Sequence, residues 1–177
     1  MASLVKAVRR WFNPRFTAGH RAERAFERMA AEHGWVLEPI PQDRATFRKY
    51  ADASAVGVKR GDYLVRNLGN VEVDVKCFTV YEYGRYREKG YLVEYAHAKR
   101  HEAMEELTGS PVVFAVFERA GRSPVEDSLR MIPLSELVRR RDRAPGVEYI
   151  ESRKCLHVPV WTMAPGFDLF DEMRARL

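Results

Sequence analysis

The chain has little cysteine and almost no glutamine. Of its 177 residues only Cys77 and Cys155 are cysteines, too few for a disulfide framework and without the paired spacing of a zinc site. A reducing cytoplasm is the expected setting. Gln42 is the only glutamine, while arginine is abundant, a balance that points to a heat-adapted source because side-chain amides are thermolabile. No apolar run is long enough to span a bilayer, and the opening MASLVKAVRRWF lacks the apolar stretch of a signal peptide, so no membrane partner is expected. Internal repeats and low-complexity tracts are missing too, and no helix-turn-helix or zinc finger that would read bases is recognisable.

What is present describes a globular protein. Hydrophobic residues make up 46% and charged residues 31%, which excludes a disordered or collagen-like chain. The length suits one domain with a modest extension. Thirty Lys and Arg against 25 Asp and Glu leave a formal net charge of +5, a mild preference for a polyanion such as nucleic acid.

Periodicity divides the chain into elements. Leu4, Val5, Val8, Trp11 and Phe12 recur at helical spacing, so residues 1–16 are expected to hold a short amphipathic helix ending before Pro14. Thr17 is a cap for a second helix with the stripe Ala22, Phe26, Met29 and His33, stopped by Gly34. Trp35 to Ile40 reads as a strand, and 41–60 as a polar, basic insertion carrying Arg44, Arg48, Lys49, Lys59 and Arg60. Asp62 to Arg66 and Val71 to Val80 read as strands joined by the turn residues 67–70. Leu92 to Leu107 reads as a helix with Ala96, Ala103 and Leu107 on its apolar face and Arg100 within that stripe, while His97 and His101 read as ordinary surface residues. Pro111 to Phe117 reads as a buried strand. Beyond it, strands are expected near Leu129–Ile132, 147–151 and 156–161, with a short helix over 133–140 and a solvated charge run over 139–143. The expected organisation is an N-terminal helix over 1–16, a core over 17–118 and an extension over 119–177.

The chemistry concentrates in Val71-Glu-Val-Asp-Val-Lys76. Strand alternation sends Glu72, Asp74 and Lys76 to one face and the three valines to the other. Asp62 opens the preceding strand, and the hairpin brings it alongside Asp74. Two converging carboxylates with room for water suit Mg²⁺, or Mn²⁺ in its place. A nearby Lys76 ammonium can orient or help deprotonate an attacking water and steady charge on a phosphate.

Gly61-Asp62, twelve residues and then Asp74-Val75-Lys76 resembles the PD-(D/E)xK signature of restriction-endonuclease-like nucleases. Within that superfamily the sequence looks most like archaeal Holliday-junction resolvases, because Gly19-His-Arg-Ala-Glu23-Arg24 is similar to their Gly-x-x-x-Glu-Arg helix start. The pattern is departed from at Gly61, where a proline is usual, and at Asp74, often a Glu, which leaves Glu72 as an alternative ligand. The resemblance covers about residues 17 to 118. It implies an α/β fold with a central mixed sheet flanked by helices, an α-β-β-β-α-β core and a C-terminal β/α extension. It further implies a magnesium-dependent nuclease with Asp62 and Asp74 as metal ligands, Glu23 at a second metal or its waters, and Lys76 at the water.

Nucleic acid, DNA by this resemblance, would be held by the basic and aromatic segments, with Lys59, Arg60, Arg85, Arg87 and Arg100 as contacts. Branched DNA is the first expectation, and a symmetric junction would call for a homodimer. The alternatives are a catalytically silent nucleic-acid-binding or structural module of the same fold, and a ribonuclease.

Overall fold

The computed structural model describes residues 14–41, 57–83, 87–139 and 146–177. The expected N-terminal helix, most of the basic insertion, Arg85 and nearly all of the 139–143 charge run lie outside the described residues.

In chain order the elements are α1 (Pro14–Glu32), β1 (Leu37–Pro39), β2 (Tyr63–Val65), β3 (Val71–Phe78), β4 (Tyr81–Tyr83), β5 (Glu88–Glu94), α2 (Tyr95–Thr108), β6 (Val112–Ala120), β7 (Ser123–Pro133), α3 (Leu134–Arg139), β8 (Glu148–Ile150), β9 (Cys155–Pro159), β10 (Ala164–Pro165) and α4 (Asp168–Arg174). A six-stranded sheet has the order β1-β2-β3-β6-β7-β10, and a four-stranded sheet the order β4-β5-β9-β8. In the larger sheet β3 and β6 are parallel while the other neighbours are antiparallel. A parallel pair cannot be closed by a tight turn. Here the crossover is made by the β4–β5 hairpin and α2.

Both faces of the larger sheet are covered. Val112–Phe117 is buried throughout, as a central strand packed on two sides must be. Alternation sends Val113, Ala115 and Phe117 into one cluster with Phe26, Trp35, Phe167 and Phe170, and Val112, Phe114 and Val116 into a second with Tyr91, Leu134 and Leu156. Helix α1 lies on the first face through Ala18, Ala22, Ala25 and Ala30 around Phe26. Small side chains let it sit close, and Phe26, 6.0 Å from the Tyr63 ring and 5.7 Å from that of Phe167, contributes about 1.5–3 kcal/mol by its burial.

Several local expectations are corrected. Helix α1 begins at Pro14, three residues before Thr17. His33 falls in the turn after α1 rather than on its inner face and is exposed. In α2 the buried face is Ala98, His101, Ala103 and Met104, while Ala96, Arg100 and Leu107 are exposed. The helix packs over a part of the sheet that carries charge, so a rule that seeks only apolar side chains selects the wrong stripe. The aromatic and basic segment after β3 forms a hairpin, with Tyr81 paired to Gly90 and Tyr91 in the core. Helix α4, which seals the first cluster with Phe170, has no counterpart among the expected elements.

Candidate active site

The site grows from the central position of β3. Its odd residues Val71, Val73 and Val75 enter the first cluster, so Glu72, Asp74 and Lys76 project to the opposite face, beneath α2. Glu72 and Asp74 are both 0% exposed. A buried carboxylate must find charged or polar partners, and the two acids do so differently. Glu72 accepts from Arg60 at 2.6 and 3.0 Å through one oxygen and from the Gly61 amide at 2.9 Å through the other. Both of its oxygens are thus engaged in fastening the chain before β2, which leaves Asp74 as the acid beside Lys76.

That fastening explains the glycine where a proline is usual. Asp62 donates its backbone N–H to the Val73 carbonyl at 2.7 Å, and a Cβ at residue 61 would stand 2.7 Å from that same oxygen. Only glycine admits so close an approach. Tyr63 pairs with Val73 in antiparallel register, so Asp62, one residue earlier, comes alongside Asp74. Its carboxylate accepts from the Val75 amide at 2.8 Å.

Asp74 is held by three cationic or potentially cationic groups. Lys59 Nζ lies 2.9 Å from Oδ1, Lys76 Nζ pairs with Oδ2, and His101 Nε2 is 3.5 Å from Oδ2. Burial alone would raise the Asp74 pKa, but the two ammonium groups hold it well below the usual carboxylate range. Asp62 behaves in the opposite way. Burial and the negative charge of Asp74 push it up to about 6, against the pull of Lys76, the Val75 amide and Lys59. Lys76 is raised, since attraction to Asp74 and Asp62 outweighs its burial, whereas burial lowers Lys59 and His101.

A cleft of about 520 Å³ opens beside this cluster, lined among others by His20 and Glu23 from α1, Asp62, Val75, Lys76, Tyr81 and Arg119. The Glu23 carboxylate accepts from His20 Nδ1 at 3.0 Å. Arg119 donates to the Thr79 hydroxyl at 2.7 Å. The structure therefore brings Glu23, Asp62 and Lys76 to one cleft, with Asp74 behind them under α2.

Other expected contacts are placed elsewhere. The side chains of Lys59 and Arg60 turn inward to Asp74 and Glu72 instead of outward to a nucleic-acid backbone. Arg87 is exposed in the β4–β5 turn with φ of 51°, and Arg100 is exposed on α2, contributing only its carbonyl, which accepts from the Lys59 amide at 3.1 Å. His101, read as a surface residue, is 0% exposed and packs edge-on against Phe114 at 5.2 Å. Its spacing with Ala98 and Met104 on α2 was the available signal. For Lys59 sequence offered none, because it lies in a basic stretch outside the strands, where no periodicity fixes the direction of its side chain.

The donor set fits a divalent cation in one respect. Asp62 feels repulsion from Asp74 that Lys76, Lys59 and the Val75 amide only partly offset, and a cation between hard oxygens would remove it. Among the described residues no three His, Cys, Asp or Glu side chains gather closely enough to hold an ion by themselves, so water would complete the coordination, as Mg²⁺ commonly allows. No described helix is long and apolar enough to cross a membrane.

No family model and no curated protein matches the sequence. Among solved structures the chain is similar to Archaeoglobus fulgidus Hjc, a Holliday junction resolvase from an archaeal hyperthermophile, at 12% identity and a TM-score of 0.50, over 86% of this chain and 99% of that one. With a central mixed sheet flanked by helices, the chain has the restriction-endonuclease-like fold, shared with that archaeal resolvase.

Proposed function

We propose that the protein is a metal-dependent nuclease hydrolysing phosphodiester bonds, an endodeoxyribonuclease acting on structured or branched DNA. The observation that carries this reading is the convergence of Asp62, Asp74 and Lys76 on adjoining strands at a cleft that Glu23 enters from α1. The function named for the Archaeoglobus structure supports it at the level of a shared fold.

Asp62 and Asp74 would hold Mg²⁺ or Mn²⁺, with Glu23 binding its waters or a second ion. A divalent ion there supplies Lewis acidity to a phosphate oxygen and lowers the pKa of water. The chain's own groups do the rest. Lys76, paired with Asp74, orients or helps deprotonate the attacking water and stabilises negative charge developing on the phosphate. Arg119, fixed by Thr79 at the cleft wall, offers planar donors to a phosphate, and the partly exposed Tyr81 offers a stacking face. These contacts recognise backbone and shape rather than base sequence. A second copy of the chain would supply the second cut of a symmetric junction.

Labelled duplex, flap, four-way junction, single-stranded DNA and RNA, incubated with Mg²⁺, Mn²⁺ or a chelator, test this reading. Metal-dependent cleavage of branched DNA is the expected result. Cleavage confined to RNA would correct the substrate, and tight binding with no cleavage of any substrate would replace the nuclease by a binding module.

A further inference from the structure

We infer that the Lys59 ammonium is a built-in competitor for the divalent cation at Asp74, held on Oδ1 until the cation displaces it. The inference rests on the metal-nuclease reading and concerns how that site is regulated.

Each oxygen of Asp74 faces an ammonium: Oδ1 that of Lys59 at 2.9 Å, Oδ2 that of Lys76. The carboxylate is 0% exposed. Taken with Asp62 the cluster holds two acids and two lysines, so its charges balance. Glu72 adds nothing, because Arg60 neutralises it. A divalent cation added to this balanced cluster would leave an excess of two positive charges where water screens them poorly. Removing one ammonium halves that excess and frees an oxygen of Asp74 for coordination.

Lys59 is the ammonium that can leave. Its side chain is 27% exposed against 18% for Lys76. It is carried by a stretch that precedes β2 and belongs to no strand, whereas Lys76 stands in mid-β3. The Lys59 backbone N–H is bonded to the Arg100 carbonyl at 3.1 Å, so the side chain can swing outward while the main chain stays on α2. Lys59 thereby stabilises the cation-free protein, and the same pairing weakens cation binding by competition.

The test uses the whole chain and MnCl₂ as probe, titrated calorimetrically at constant pH and ionic strength. Lys59→Met should bind Mn²⁺ at least tenfold more tightly than the parent, and Lys59→Arg, which keeps the charge, should bind no more tightly than the parent. Lys59→Gln, whose amide can still donate to Oδ1, guards against misfolding: Mn²⁺ should raise its melting temperature further than that of the parent. If the parent binds Mn²⁺ and Lys59→Met binds equally or more weakly, or Lys59→Gln gains no more than the parent, the competitor role is wrong while the metal reading stands. If neither the parent nor any variant binds Mn²⁺, the metal reading itself fails and takes this inference with it.

Discussion

Replacing Asp62 by Asn should make the cation-free protein more stable at pH 8. In the folded chain Asp62 is pushed from 3.8 to about 6 by burial and by Asp74. A carboxyl group with a raised folded pKa contributes stability that is full below its unfolded value and is lost as the pH rises through its folded value. The window therefore runs from about 4 to about 6, and at pH 8 the parent bears the whole loss. At about 1.4 kcal/mol per pKa unit the two-unit shift corresponds to at most about 3 kcal/mol, and partial exposure of Asp62 brings the expectation to roughly 2 kcal/mol. Asparagine can still accept from the Val75 amide, so the substitution removes repulsion without removing the hydrogen bond. For a chain of this length 2 kcal/mol corresponds to a melting temperature higher by roughly 4–8 °C. Thermal unfolding by circular dichroism in chelator, at pH 8 and at pH 4, measures both ends of the window. Asp74 does not interfere, because its stabilisation is present above 3.8 and is lost only as the pH falls below that. The gain should shrink below about 1 kcal/mol at pH 4. A variant that melts at or below the parent at pH 8 refutes the argument that Asp62 is held under repulsion.

Lys76→Ala should lower single-turnover cleavage by about 10²-fold or more while DNA binding in gel shift persists, since Arg119 and Tyr81 at the cleft are untouched; an unchanged rate would remove Lys76 from the chemistry. Gly61→Ala should cost roughly 1–3 kcal/mol in urea unfolding, because its Cβ would meet backbone of β3 at 2.7 Å. Mn²⁺ affinity should fall with it, and a fully stable variant would show that the close approach is relaxed in solution. Binding of branched DNA should weaken steeply with salt, with a log-log slope of about −0.9 per phosphate contact. A slope near zero would contradict recognition through the backbone.

The sheet was legible because its strands carry a strong signal. The apolar run of β6 and the alternation along β3 place Asp74 and Lys76 without knowledge of neighbours, and the hairpin at 67–70 brings Asp62 to them. The partners of those residues were not legible. Lys59 and Arg60 look like surface cations in a basic stretch, and only the depth of Glu72 and Asp74 turns them inward. His101 reads as polar, yet it lies on the buried face of α2 because that helix covers charged ground. Helix α4 is seven residues long, too short for periodicity to stand out, and its place is set by distant Phe26 and Trp35.

The order in which these parts assemble follows from the crossover. Val73 lies beside Val113 and Leu92 beside His157, so about 40 and about 65 residues of chain must close before either pairing gains anything. Such non-local closures slow folding. Asp62 and Asp74 meet early, because the hairpin that joins them is local, but α2 with His101 lies inside the crossover and covers them only after these closures, so the site is completed late, once much of the apolar surface has already been buried. Recovery of Mn²⁺ binding after dilution from denaturant should accordingly lag behind the recovery of helical signal, and the delay would time the docking of α2 onto β3.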